Sequence, residues 1–228
     1  TIKAGLTDPG RPAAVLLFCG PTGVGKTALA RTLARHCFGA AGESERLVRL
    51  DLSEFAGPGA AHRLLTGARG EPAAWIQRVR AQPFCVLLLD EIEKAHPQVF
   101  DLLLQVLGDG RLTDGRGRTT TFHNAIVILT SNLGAGGPQA RAGFAGRGDA
   151  QDEHFLREVR RAFRPEFIGR LDRIIPFAPL LPEEVARVAR LQVARIADRR
   201  GLRDLTITLE VSEAALLHLA TRGYAAAY

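Results

Sequence analysis

Eight consecutive residues, Gly20-Pro21-Thr22-Gly23-Val24-Gly25-Lys26-Thr27, fit G-x-x-x-x-G-K-[ST] at every fixed position. A loop of this type handles phosphate. Gly20 and Gly25 permit backbone conformations and a close approach that a Cβ would block. The loop N–H groups, continuing through Ala28 into the positive end of the following helix, face an anion. Lys26 is placed to reach the β- and γ-phosphates, and the Thr27 hydroxyl to ligate Mg²⁺. A glycine-rich turn that merely contains Lys-Thr is the bland alternative, and the context argues against it. The apolar run Val15–Cys19 reads as a buried strand leading in, and a helical pattern with Leu29, Leu33 and Ala34 follows. A nucleoside triphosphate site is expected here.

Two further stretches carry polar groups at the tips of apolar runs. Phe84–Leu89 is six apolar residues long and ends in Asp90-Glu91. A strand buried on both faces of a parallel sheet reads this way, and ligands bind beyond the carboxyl ends of such strands. Asp90 is the natural Mg²⁺ partner, directly or through water, and Glu91 the candidate base for an attacking water. Ala125–Thr130 is another buried strand, followed by Ser131-Asn132. The Asn132 amide can hold the lytic water or touch the γ-phosphate, with a turn-forming Asn as the alternative.

The elements that position these groups follow from pattern. A helix runs from the phosphate loop to about Cys37, where Gly39-Ala40-Ala41-Gly42 breaks it. Leu47–Leu52 reads as a strand, 56–72 as a glycine-rich loop with one helical turn near His62–Leu65, and Ala73–Ala81 as a helix burying Trp75, Ile76 and Val79. Pro97–Leu107 is helical, Leu112–Phe122 suits a short hairpin, 133–150 is a glycine-rich surface segment, and Asp152–Phe163 is a helix. Ile174-Ile175 marks a last short sheet strand. Helices from Pro182 to about Arg200 and from Ser212 to Thr221 flank a strand at Leu205–Leu209. The shift to helix-rich pattern places a domain boundary near 181, giving a large domain at 1–180 and a small one at 181–228.

The 228 residues are 46% apolar, enough for a packed core. No apolar run has the length of a membrane span and no signal peptide opens the chain, so a cytoplasmic protein is expected. Cys19, Cys37 and Cys85 lack metal-type spacing and read as reduced core thiols. Met is absent, so residue 1 is not expected to be a natural start and the chain is read as a fragment. The net charge of +6 invites a nucleic-acid reading, but the arginines are scattered. The densest groups, Arg157-Arg160-Arg161 and Arg195-Arg199-Arg200, fall at helical spacings without aromatic interleaving, and nucleic-acid binding is not expected.

Assembled, these pieces resemble an AAA+ ATPase, and more narrowly the second ATPase module of Clp-type unfoldases and disaggregases (the ClpB group). The matching runs are Asp8-Pro9 with Arg11-Pro12, Gly20–Thr27, Leu88–Pro97, Leu104–Leu107, Asp109–Asp114, Thr130–Gly134 and Phe163–Ile168. The resemblance implies an α/β module with a parallel sheet flanked by helices, a small helical lid, ATP and Mg²⁺ as ligands, a hexameric ring, and protein substrates. It also implies that Asn132 is sensor 1, and that Arg170 is an arginine finger completing the neighbouring subunit's site. Two features depart from the family. Its pore loop carries a gripping Tyr, whereas the matching region here, Arg63–Pro72, is shorter and has no aromatic residue. The chain also stops at Gly223–Tyr228, about where the family continues into its sensor 2 motif. The first functional reading is therefore an ATP-hydrolysing ring motor acting on proteins. The second is an assembly or regulatory module that does not thread, favoured by the altered loop, and a nucleic-acid remodeller is suggested by charge alone.

Overall fold

The computed structural model describes residues 8–134, 149–205 and 207–227. Five strands form one parallel sheet, β1 (Ala14–Cys19), β2 (Leu47–Asp51), β3 (Val86–Asp90), β6 (Ile126–Ser131) and β7 (Arg173–Pro176), in the order β2-β3-β6-β1-β7. A separate antiparallel pair, β4 (Arg111–Thr113) and β5 (Thr119–Thr121), makes the expected hairpin. The helices are α1 (Lys26–Arg46), α2 (Ala60–Leu65), α3 (Ala74–Ala81), α4 (Pro97–Asp109), α5 (Asp149–Ala162), α6 (Pro165–Ile168), α7 (Pro182–Ala197), α8 (Arg200–Asp204) and α9 (Glu213–Ala227).

All five residues of β3 are buried, because helices cover both sheet faces. Val86 and Leu88 pack with Phe18 and Ile128 against Ala30 and Ala34 of α1. Leu87 and Leu89 face the larger core built with α2, α3, α4, α5 and α6. Period-two alternation thus splits one apolar run between two cores. Trp75 joins the larger core as expected, its ring 5.8 Å from that of Phe122 and its indole N–H donating to the Leu64 carbonyl at 2.7 Å. The arginine groups at 157–161 and 195–200 are exposed, as their spacing predicts.

Several expectations need correction. Leu29 is exposed, because α1 buries Ala30 and Ala34 instead, four residues apart on one face. The break expected at Gly39–Gly42 is present, since Gly39 (φ 76°, ψ 172°) is non-helical, but a second helical stretch then runs on to Arg46. Cys19 and Cys85 are buried core thiols, but Cys37 is exposed. Gly201 does not stop α7, which ends at Ala197; it lies within α8. Residues 207–210 form no strand, and 206 lies outside the described residues. The glycine-rich stretch 133–150 falls largely outside them as well.

Candidate functional site

The parallel register brings the carboxyl ends of the strands into one row, with Asp51 beside Asp90 and Cys19 beside Ser131. The loop after β1 closes over this row, its Gly20 N–H donating to the Ser131 carbonyl at 3.2 Å. A cleft of ≈ 260 Å³ opens there, lined by Thr22, Gly23, Gly25, Lys26, Thr27 and Ala28 on one side. Across it stand Arg49 and Asp51 from β2, Asp90 at the end of β3 with Glu91 just past it, and Thr130 and Asn132 at the end of β6. The expected loop residues are thus brought together with the expected acids and amide. Val24 is buried beneath the loop, and Pro21 contributes its carbonyl.

The two fixed glycines have different jobs. Gly25 (φ 103°) has nothing within 4 Å of the position a Cβ would take, so its freedom serves the turn and the open ligand side. At Gly20 (φ 145°) a Cβ would collide with the main-chain oxygen and Cβ of Phe177, just past β7. Sequence reasoning assigned both to phosphate approach; Gly20 is needed for packing against the neighbouring chain segment.

Lys26 is buried at the centre of a polar network. Its Nζ donates to the Gly20 and Pro21 carbonyls, each at 2.7 Å, and to Asn132 Oδ1 at 2.9 Å. Burial lowers the Lys26 pKa, against the upward pull of Glu93, Asp90 and Glu91. The Asn132 amide nitrogen in turn donates to Glu91 Oε1 at 3.3 Å. One amide therefore links the phosphate-loop lysine to the candidate base. Glu91 itself sits in the left-handed region (φ 55°), alone in this among the described non-glycine residues. A non-glycine residue there is strained, and the Glu91 N–H to Thr130 Oγ1 bond at 3.1 Å helps hold it.

Asp90 is buried, and both its oxygens are engaged. Oδ1 accepts from Thr27 Oγ1 at 3.2 Å and from Thr130 Oγ1 at 2.9 Å. Oδ2 meets Arg49 Nε at 2.7 Å. Among the described residues no group of three or more His, Cys, Asp or Glu could hold a metal ion. Mg²⁺ on a nucleotide needs no such cage, since one or two protein oxygens and the phosphates suffice. The hard oxygens of Thr27 and Asp90, at hydrogen-bond distance from each other, fit that requirement.

Sequence reasoning missed three members of this network. Thr130 was read only as strand. Glu93 accepts the Asn132 N–H through Oε1 at 3.0 Å, while its buried Oε2 has no hydrogen-bond partner. Arg49, on β2, gave no signal beyond alternation, which turns it away from the buried Val48 and Leu50. Arg170 stands apart from the cleft, with its guanidinium against Gly108 near the end of α4. Its carbonyl accepts from Arg11 Nη2 at 2.5 Å, and Arg11 Nη1 lies 3.7 Å from Asp172.

The model of one known family, described as AAA domain (Cdc48 subfamily), matches residues 11–174. This span holds four of the five sheet strands, the start of β7 and every residue lining the cleft. The chain belongs to the AAA family. It is also 46% identical over 99% of its length to a chaperone protein ClpB of Corynebacterium efficiens, and 46% identical over 97% to that of Meiothermus ruber. An ATP-dependent Clp protease ATP-binding subunit ClpC of Staphylococcus saprophyticus is 43% identical over 97% of the chain. The chain spans about a quarter of the length of these relatives (25%, 26% and 28%). No described helix of this AAA chain is long and apolar enough to cross a membrane.

Proposed function

We propose that the chain is the second ATPase module of a Clp-type ring motor, cytoplasmic and hexameric, which hydrolyses ATP to remodel proteins. The observation that supports this best is the hydrogen-bonded series Lys26–Asn132–Glu91 at the mouth of the phosphate loop. The loop N–H groups and Lys26 bind the β- and γ-phosphates. Glu91 accepts a proton from the attacking water, and Asn132 orients that water through the same amide. Thr27 and Asp90 hold Mg²⁺, which when bound neutralises charge on the phosphates. Arg49 occupies Asp90 Oδ2 and gives way, having a half-exposed side chain free to swing aside. The Arg170 guanidinium acts on the neighbouring subunit's γ-phosphate, a reading supported by its place outside this chain's own cleft. Residues 1–180 form the large domain and 181–228 the small lid.

A second reading keeps ATP binding but assigns it to ring assembly or regulation without threading. The tight loop at 66–72, which lacks an aromatic side chain, favours it. The deciding experiment follows loss of fluorescence from a stable fluorescent protein with an unstructured tail, in the assembled motor with ATP. Loss that Glu91→Gln abolishes supports the threading motor. ATP turnover without fluorescence loss supports the regulatory module. Wild-type nucleotide affinity in Lys26→Ala would overturn both readings.

A further inference from the structure

Two loop tips outside the cleft stand side by side, and neither has a large apolar or aromatic side chain. The first is Thr66–Pro72. An antiparallel bridge joins Thr66 to Pro72, the Gly67 N–H donates to the Glu71 carbonyl at 2.7 Å, and the Gly70 N–H to the Gly67 carbonyl at 3.1 Å. The Glu71 carboxylate folds back over Gly67, and its Oε2 accepts the Arg69 N–H at 3.0 Å. Its negative charge is thereby turned into the loop, leaving Ala68, Arg69 and Gly70 exposed at the tip.

The second tip is the turn of the β4–β5 hairpin. Asp114 organises it from within, with Oδ1 accepting the N–H groups of Arg116 and Arg118 at 2.9 and 3.0 Å. Its Oδ2 is shared by Arg80 Nη2 at 3.1 Å and Arg118 Nε at 3.2 Å. That carboxylate therefore has nothing left for Arg116. The Arg116 guanidinium lies 3.6 Å from where a side chain would begin at Gly70, which brings the two tips together. Among the described residues neither Arg69 nor Arg116 has a side-chain hydrogen bond or ion pair. Two free guanidinium groups are thus presented by two stiff turns whose acids are both spent internally.

We propose that this paired tip is a docking surface for an acidic polypeptide segment, with Arg69 and Arg116 each receiving a carboxylate. Guanidinium matches carboxylate geometry in a two-point bond, and preformed turns lose little freedom on binding. Neither tip has an aromatic ring on which a base could stack, and two free cations are few for a nucleic-acid backbone, so the surface fits protein better than nucleic acid. The inference rests on the ring-motor reading only for its use, as the contact that replaces an aromatic grip. Binding itself does not depend on it.

The test uses fluorescence anisotropy of four labelled probes with the chain: a glutamate-rich peptide, a lysine-rich peptide, a Gly-Ser peptide and oligothymidylate. The glutamate-rich peptide is expected to bind best, with affinity falling as salt rises. Arg69→Ala with Arg116→Ala should weaken it roughly tenfold. Arg69→Glu with Arg116→Glu should transfer preference to the lysine-rich peptide, a gain that misfolding cannot produce. Unchanged glutamate-peptide affinity in both double variants would overturn the proposal, as would equal binding of the Gly-Ser peptide. Tighter binding of oligothymidylate, lost in the double variants, would overturn it in favour of nucleic acid. A fluorescent ATP analogue titrated into the same samples reports on the nucleotide site separately. Failure of the tip with nucleotide binding intact leaves the ATPase reading standing.

Discussion

Thr130 has one hydroxyl that serves two groups in the cleft, donating to Asp90 and accepting from the Glu91 backbone. Thr130→Val keeps the shape and removes both bonds. An unsatisfied buried group costs about 1–3 kcal/mol, so a loss of that size is expected in a urea titration. Turnover should fall more than nucleotide affinity, because Glu91 loses the bond that helps hold its strained backbone. Equal losses in both would mean that Thr130 serves only stability. At this scale the sequence was legible where a residue belongs to a motif with fixed spacing, as Lys26, Thr27, Asp90 and Glu91 do. It was silent on Thr130, Glu93 and Arg49. Their partners lie on other strands, and no local pattern records a contact made across the sheet.

Elements show the same divide. The glycines of the phosphate loop look equivalent in sequence, yet one meets a wall and the other open space. Gly20→Ala drives a Cβ into rigid main chain and should cost about 3 kcal/mol or more, read by thermal or urea unfolding. Gly25→Ala carries only the strain of a positive φ, about 1–2 kcal/mol, and should instead lose nucleotide affinity. Similar stability losses in both variants would refute the distinction. The hairpin depends on Asp114. Burial alone would raise its pKa, but the N–H groups of Arg118 and Arg116 together with Arg80 and the Arg118 charge bring it down to about 2, from an ordinary 3.8. A lowered carboxylate pKa adds stability above the unfolded value, and that stability is lost as pH falls from about 4 to about 2. Asp114→Asn should flatten this acid limb. Trp75, the chain's one tryptophan, packs on Phe122 just after the hairpin and reports it by fluorescence. An unchanged acid limb would mean the hairpin is held by other groups.

For the whole molecule, the position of Arg170 matters most. It lies against α4 and is not among the residues lining the cleft, the placement that the proposed finger in trans requires. In a ring with Arg170 acting in trans, Lys26→Ala and Arg170→Ala should each reduce ATP turnover at least tenfold. Mixed in equal amounts, the two variants should regain activity. At random assembly about a quarter of the interfaces join an intact Lys26 to an intact neighbouring Arg170. Activity that stays at the level of the separate variants at every ratio would exclude a finger in trans.

The sequence by itself determined the five sheet strands, the phosphate loop and the acids at and just past the end of β3, though it also placed a strand near the end of the chain that does not form at 207–210. These features are encoded by local periodicity and by motifs whose residues are adjacent. The strand ends that carry chemistry were legible for the same reason, since an apolar run ending in a polar group marks the edge of a buried sheet. Only the tertiary structure decided which groups share a hydrogen bond: Asn132 between Lys26 and Glu91, Thr130 under Asp90, and Arg116 beside Gly70. These pairs are separated by tens of residues or more. What brings them together is the parallel register of the sheet and the packing of its helices, which depend on the whole core forming at once.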